Sequence, residues 1–358
     1  MARTTSSPPS RSDPAAERQP GDAPRQPSLP RRVEAVAHPH LEIVAVDPAG
    51  GAVEVEGLDQ LERAIRDPRL RLWIDAADLD AAALQRLSRI LGIHPLVTED
   101  IQEQNQRAKA ERLDGMLHMV LFALVYEGEV VESEVDFVLT ERYLLTVHQA
   151  DWDPMRAPQL RGDAIPLLAT GPDYLLYAIA DWLVDGYFPV LDRLTDEIDE
   201  LQDDVIERNS SWNLRRLFVL KRELIGMRRA TAPTREIFNQ LTNRELGLVH
   251  PNHVIYFRDV YDHLIRVTDE LDTYRELVSG TLDIYLTTVN NNLSIIMKRL
   301  TGVTVILAGV GAIAGIFGAS EAGAAFAGSA APGFWIMTAL TVGFAIGTAV
   351  LLRRINWI

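Results

Sequence analysis

The longest apolar segments of the chain lie at its C-terminal end. Residues 300–320 contain no charged side chain, and a second uncharged stretch is centred on residues 334–352. A helix of about 20 residues is long enough to cross a hydrocarbon core of about 30 Å. The pattern therefore predicts two transmembrane helices, the second at 334–352, joined by a short link at 321–333.

Basic residues flank both apolar segments on the same side. Lys298 and Arg299 precede the first segment, and Arg353 and Arg354 follow the second. Because basic flanks are retained in the cytoplasm, we expect both termini there, a basic cytoplasmic C-terminus at 353–358 and an extracytoplasmic loop at 321–333. The chain is thus predicted to be a multi-pass protein of the plasma (inner) membrane.

The pattern before the membrane segments changes from mixed to helical. β-Branched and aromatic runs predict strands at 41–46, 52–55, 70–74, 117–126, 135–139 and 143–147. Apolar residues at helical spacing predict a helix at 81–91. We therefore expect an α+β cytoplasmic domain over residues 33–170, a mixed sheet flanked by helices, after a disordered Pro-rich tail at 1–32.

Long helices are predicted from residue 171 onward. The segments 174–207 and 214–241 are each periodic, which indicates a cytoplasmic helical hairpin within 171–250, broken near 209–211. A third helix begins after Pro251 and meets no clear breaker before the membrane. Residues 251–320 are therefore predicted to form a long stalk helix that continues into the first transmembrane helix.

Net charge, cysteine content and catalytic motifs exclude several classes of function. The net charge of −15 comes from the part before the membrane, which argues against a nucleic-acid partner and suits a protein that gathers cations. Cysteine is absent, so disulfides and thiolate metal sites are excluded. The sequence contains no phosphate loop, nucleophile elbow or zinc-protease motif. We expect neither an enzyme nor an organic cofactor.

One face of the third helix is polar or small almost throughout. Steps of three and four residues along it give Asp283, Leu286, Asn290, Ser294, Met297, Thr301, Thr304, Ala308, Gly311 and Gly315. Close packing of helices through small residues explains such a stripe, and so does a water-filled pore. One helix cannot enclose a pore, so the second explanation requires a homo-oligomer around a central axis.

Several motifs, taken together, resemble the CorA family of divalent-cation (magnesium/cobalt) transporters. They occur at 91–100 (LGIHPLVTED), 173–177 (DYLLY), 256–263 (YFRDVYDH), 279–286 (SGTLDIYL), 292–301 (NLSIIMKRLT) and 314–318 (AGIFG). The resemblance spans residues 33–358 and favours the pore explanation of the stripe. It implies a homopentamer in the lipid bilayer that mediates passive influx of Mg²⁺, with Co²⁺ and Ni²⁺ as further candidates, gated by intracellular Mg²⁺.

The chain departs from the family at the outer end of the first membrane helix. The family's Gly-Met-Asn is here Gly318, Ala319 and Ser320, followed by Glu321. The resemblance places the selectivity filter at these four residues and makes the chain a divergent member. Two alternatives stay open: a Zn²⁺-preferring transporter of the same fold, and a non-conducting membrane-anchored sensor or scaffold that has lost the filter.

The resemblance also implies a regulatory metal site. Asp100 and Asp259 occupy the positions of the family's carboxylates that hold a divalent ion between neighbouring subunits, and Asp262 lies one helical turn from Asp259. Carboxylates with bound water suit Mg²⁺. Without the resemblance, these residues would be ordinary solvated acids among the chain's 50.

Overall fold

The computed structural model describes residues 40–104, 106–160, 162–207, 210–243, 245–319, 332–355 and 357. The predicted tail at 1–32, most of the predicted loop at 321–333, and the filter residues Ser320 and Glu321 lie outside these residues.

A seven-stranded sheet forms the centre of the N-terminal part, where a mixed sheet was predicted. Its strands are β1 (His40–Val46), β2 (Ala52–Val53), β3 (Arg71–Ala77), β4 (Lys109–Leu113), β5 (Met116–Tyr126), β6 (Val130–Leu139) and β7 (Tyr143–His148). Their order is β2-β1-β3-β7-β6-β5-β4. The sheet is mixed because β3 and β7 are parallel, whereas the other neighbours are antiparallel.

Helices cover both faces of the sheet. Three of them, α1 (Gly57–Ala64), α2 (Ala81–Leu91) and α3 (Pro95–Glu103), pack on the face that carries Ile74 and Leu145. The adjacent residues Trp73 and Leu144 point to the other face and join a second core with the later helices. This alternation follows from the two-residue period of a strand, and it explains why the central strands read as nearly continuous apolar runs.

The later helices build a long bundle. They are α4 (Ile165–Thr170), α5 (Pro172–Asp185), α6 (Tyr187–Glu207), α7 (Ser211–Thr242), α8 (Val254–Ala319) and α9 (Pro332–Arg354). The single helix predicted at 174–207 is wrong, because α5 and α6 meet at Gly186. Pro189 explains the break, since it has no N–H for the carbonyl of Asp185. The break predicted near 209–211 is confirmed, and Ser210 caps α7 by accepting from the Asn213 amide.

The helices α6 and α7 pack along the first half of α8 in opposite directions. On α6, Phe188 contacts His263, and Gln202 donates to Thr281 further along α8, so the two helices run parallel. On α7, the order is reversed: Arg228 pairs with Asp272, and Arg235 donates to Thr268. Beyond Tyr285, which is buried, α8 leaves this bundle and is exposed for several turns.

Candidate functional site

The exposed half of α8 fits a membrane span. The helix has 66 residues, about 100 Å at 1.5 Å per residue. Within the described residues it is long and apolar enough to cross a bilayer, with a mean hydropathy of 1.8 over its most apolar window. The 23-residue helix α9 packs against it and ends at Arg353 and Arg354.

One face of this part of α8 is turned toward α9. Gly302 is buried, and Ile306, Gly309 and Ile313 are partly buried. A methyl group at Gly309 would overlap the ring of Phe344 in α9, so this glycine permits the close approach of the two helices. These positions recur every three or four residues, as expected for one side of a helix.

The predicted pore-lining stripe lies on a different side of α8. All of its members are exposed in the protomer, from Asp283 to Gly315. A side chain added at Gly311 or Gly315 would meet no described atom within 4 Å, so these glycines do not provide packing space for α9. Within the protomer, the helix-packing explanation therefore applies to Gly309 and not to the stripe.

Two hydroxyl groups of the stripe donate hydrogen bonds to the backbone of α8 itself. Ser294 donates to the Asn290 carbonyl at 2.9 Å, and Thr304 donates to the Leu300 carbonyl at 2.8 Å. The hydroxyl proton of each residue is used in this hydrogen bond, while the lone pairs of the hydroxyl oxygen can accept hydrogen bonds from water. Such oxygens suit a hydrated cation, whose water molecules present their protons outward.

The structure describes only the first two residues of the predicted filter, and only as helical backbone. The helix α8 includes Gly318 and ends at Ala319. Ser320 and Glu321 lie outside the described residues. The role of these four residues stays a prediction.

A cluster of possible metal ligands lies between α5 and α8. Asp181 and Asp185, one turn apart on α5, face His263 on α8, and one ligand atom from each lies within 4.8 Å of the others. His263 Nδ1 is 3.9 Å from Asp181 Oδ1 and 3.3 Å from Asp185 Oδ1. The second carboxylate oxygen of Asp181 accepts a hydrogen bond from Gln159 at 2.9 Å, which orients the carboxyl group.

Among the described residues, the buried Asp181 Oδ1 has no hydrogen-bond partner, and His263 Nδ1 makes only long contacts with the two carboxylates. Burial, together with the negative charge of Asp185, raises the pKa of Asp181 to about 6. Burial likewise raises the pKa of Asp185, and the charge of Asp259 adds to the rise at both residues. A bound cation would satisfy the unpaired oxygen of Asp181 and relieve the repulsion among these carboxylates.

The three predicted ligands of the regulatory metal lie in two different parts of the protomer. Asp259 is exposed on α8 near the Asp181 cluster, and Asp262 is exposed on the same helix. Asp100 on α3 is instead paired with Lys109, whose Nζ lies 2.6 Å from its Oδ2. Among the described residues of one protomer, no set of three metal ligands includes Asp100, Asp259 or Asp262.

Sequence reasoning missed Asp181, Asp185 and His263. The available signal was weak: two acids four residues apart on a predicted helix, and a histidine at the end of the 256–263 motif. Their meeting depends on how α5 packs against α8.

The chain is similar to known metal-ion transporters in both sequence and fold. The family model described as "CorA-like Mg2+ transporter protein" matches residues 71–354. The "Cobalt/magnesium transport protein CorA" of Thermotoga maritima is 36% identical over 260 residues, which cover 71% of this chain and 74% of the relative. The "Putative metal ion transporter YfjQ" of Bacillus subtilis is 29% identical, over 69% of this chain and 77% of the relative.

Among solved structures, the fold resembles that of the complete CorA magnesium transporter from Methanocaldococcus jannaschii. The TM-score is 0.73, and the match covers 88% of this chain and 98% of that chain at 24% sequence identity. This likeness includes the sheet domain and the long C-terminal helices.

Proposed function

Because the chain belongs to the CorA-like Mg²⁺ transporter family, we propose that it is a membrane channel for passive influx of divalent cations. Mg²⁺ is the first substrate, and Co²⁺ and Ni²⁺ are further candidates. The observation that carries this proposal is the stripe on α8, which is polar or small and exposed, while Ile306 and Ile313 face α9.

Copies of α8 around a common axis would turn their stripes toward one another and enclose a pore. A closed cyclic homo-oligomer provides this arrangement, and the family resemblance supports five copies. Thr301 and Thr304 would offer hydroxyl oxygens to the water around the ion, and Gly311 and Gly315 would leave room for it. Mg²⁺ loses its water reluctantly, so a pore that accommodates the hydrated ion suits it.

The membrane potential supplies the driving force. An inside-negative potential contributes about 2.3 kcal/mol per charge for each 100 mV, and a divalent ion gains twice that. Influx therefore needs no nucleotide. With both termini in the cytoplasm, as the basic flanks favour, the Asp181 cluster and Asp100 would face the compartment that the ion enters.

We assign these acidic groups to regulation. Intracellular Mg²⁺ bound at Asp100, Asp259 and the Asp181 cluster, with Asp262 assisting, would stabilise a closed arrangement of subunits. Loss of the ion would release the stalks, because a ligand favours the state that binds it more tightly. The imidazole of His263 also suits Co²⁺, Ni²⁺ or Zn²⁺ as a ligand.

The proposal is tested by metal uptake into liposomes that contain the purified protein. We expect Mg²⁺ uptake to increase with an inside-negative potential. Gly311→Phe should reduce it at least tenfold while assembly, judged by size-exclusion chromatography, is retained, because five phenyl groups would fill the pore. Ile306→Val, on the α9 side, is the matched control and should conduct normally. Normal conduction by an assembled Gly311→Phe protein would exclude the stripe as the pore.

The Gly-Ala-Ser sequence at 318–320 supports two rival functions. A Zn²⁺-preferring transporter would show faster uptake of Zn²⁺ than of Mg²⁺ in the same liposomes. A non-conducting sensor or scaffold would assemble and respond to Mg²⁺ but pass no divalent ion.

A further inference from the structure

Lys109, at the start of β4, is surrounded by carboxylates. Its Nζ lies 2.6 Å from Asp100 Oδ2 and 3.9 Å from Glu111 Oε1. The side chains of Lys109 and Asp100 are only 17% and 25% exposed. An ion pair this sheltered is screened by solvent and salt less than a pair on the open surface.

Two further acids belong to the same neighbourhood. Glu134 and Asp136, both buried on β6, lie close enough to Lys109 and Asp100 for their charges to interact. Asp136 has its own partner, since one of its oxygens lies 2.7 Å from His118 Nε2. Among the described residues, Glu134 Oε1 has no hydrogen-bond partner. Lys109 thus places a positive charge among several carboxylates.

We infer that Lys109 is an internal counter-ion that competes with the regulatory divalent cation for Asp100 and thereby sets the Mg²⁺ concentration at which that site fills. The inference rests on the proposed function, in which Asp100 is a ligand of that cation. Lys109 occupies Oδ2 of Asp100 and offsets part of the negative charge of this carboxylate, and both effects oppose the binding of a divalent ion there.

Lys109 has other acidic partners available when the divalent ion binds Asp100. Lys109 has a flexible four-carbon stem and a compact ammonium group, and Glu111 and Glu134 lie within its neighbourhood as alternative partners. When the ion binds Asp100, Lys109 can turn to one of these acids. The ammonium group of Lys109 therefore weakens the binding of the divalent ion without blocking it. The site fills at a higher Mg²⁺ concentration than it would if Asp100 had no ion-pair partner.

Lys109→Met tests this inference in the full-length protein, because it keeps an unbranched side chain only one atom shorter and removes the charge. The readout is the Mg²⁺ concentration that gives half-maximal protection from limited proteolysis. We expect that concentration to fall by roughly fivefold, the upper range for a partly exposed ion pair. Lys221→Met is the matched control, since Lys221 is exposed on α7, and it should leave the midpoint unchanged. An unchanged midpoint in Lys109→Met, or an equal shift in both variants, would overturn the inference.

A second measurement uses the unaltered protein and does not depend on the folding of a variant. Reductive methylation, followed by mass spectrometry, reports how accessible each lysine amine is. Lys109 should react more slowly than Lys221 without Mg²⁺ and faster as Mg²⁺ is added, with the same midpoint as the protection. Asp100→Asn should make Lys109 reactive in the absence of Mg²⁺.

The outcomes separate this inference from the proposed regulation. Mg²⁺ protection with no change in the labelling of Lys109 overturns the role of Lys109 and leaves regulation by Mg²⁺ intact. Absence of both protection and labelling changes overturns both.

Discussion

At the scale of single residues, neighbouring glycines of α8 have different surroundings. Gly309 lies against Phe344, whereas a side chain added at Gly311, two positions later, would meet no described atom of another residue within 4 Å. Sequence alone presents both as small residues in an apolar segment. The difference arises because a step of two residues rotates a position to another side of the helix. Composition therefore identifies small residues but not the surfaces that use them.

Ser320 carries the sharpest prediction at this scale. If hydrogen bonds at the outer mouth select a hydrated ion, the short serine should discriminate among Mg²⁺, Co²⁺, Ni²⁺ and Zn²⁺ less than asparagine does. Restoring the family motif with Ala319→Met and Ser320→Asn should sharpen the preference for Mg²⁺, measured as relative uptake rates in liposomes. Glu321→Gln is the comparison and should lower the flux of every divalent ion alike, because it removes charge and not shape. Identical ion profiles for parent and restored protein would remove Ser320 from the filter.

Glu134 predicts a pH dependence of stability. Burial and the charge of Asp136 raise its pKa from 4.5 to about 7. Between these values the folded protein keeps a proton that the unfolded chain has released, so the free energy of unfolding falls as pH rises through this window. The neutral side chain of Glu134→Gln does not titrate, so the free energy of unfolding of this variant does not fall for this reason. The Tm of the variant minus the Tm of the parent should therefore grow from pH 5 to pH 8. Glu141→Gln, at an exposed acid, should show no such trend; an equal trend in both variants would refute the assignment.

At the scale of elements, the contact between α8 and α9 depends on one missing side chain. Gly309→Ala would place a methyl group where the ring of Phe344 lies, so this partly exposed ring must turn aside, and we expect a cost near the lower end of the roughly 1–3 kcal/mol typical of overpacking, about 1 kcal/mol. We expect a lower Tm and less assembled protein after heating in detergent, measured by fluorescence-detected size-exclusion chromatography. Gly311→Ala is the matched control and should assemble normally. Equal stability of the two variants would show that α9 does not pack as described.

Elements with strong local signals were predicted well. Apolar spacing predicted the bounds of α2 correctly. In the structure, Asp80 caps its start and Gly92, at φ 69°, ends it. The strand β4 was missed because Lys109–Leu113 is short and charged, as edge strands often are. The Asp181 cluster was missed for a different reason: its members come from separate helices, and only tertiary packing brings them together.

At the scale of the whole molecule, the acidic cluster lies far from the membrane but on the same helix as the proposed pore. Replacing two of its ligands, with Asp181→Asn and His263→Ala, should raise the Mg²⁺ concentration that half-inhibits uptake. We expect about a tenfold rise or more, since even outer-shell partners of metal ligands change affinity by about ten- to hundredfold. Asp269→Asn, at an exposed acid further along α8, should have little effect. Unchanged inhibition in the double variant would exclude the cluster from regulation.

The continuity of α8 has a mechanical consequence. His263 and Ile316 belong to one unbroken helix, and they are separated by roughly 80 Å. A stiff rod of this length is a lever: a tilt of about 5° about its lower end displaces the upper end by about 7 Å. A tilt of a few degrees at the Asp181 cluster would therefore displace the membrane end of the helix by several ångströms, more than the diameter of the ion itself.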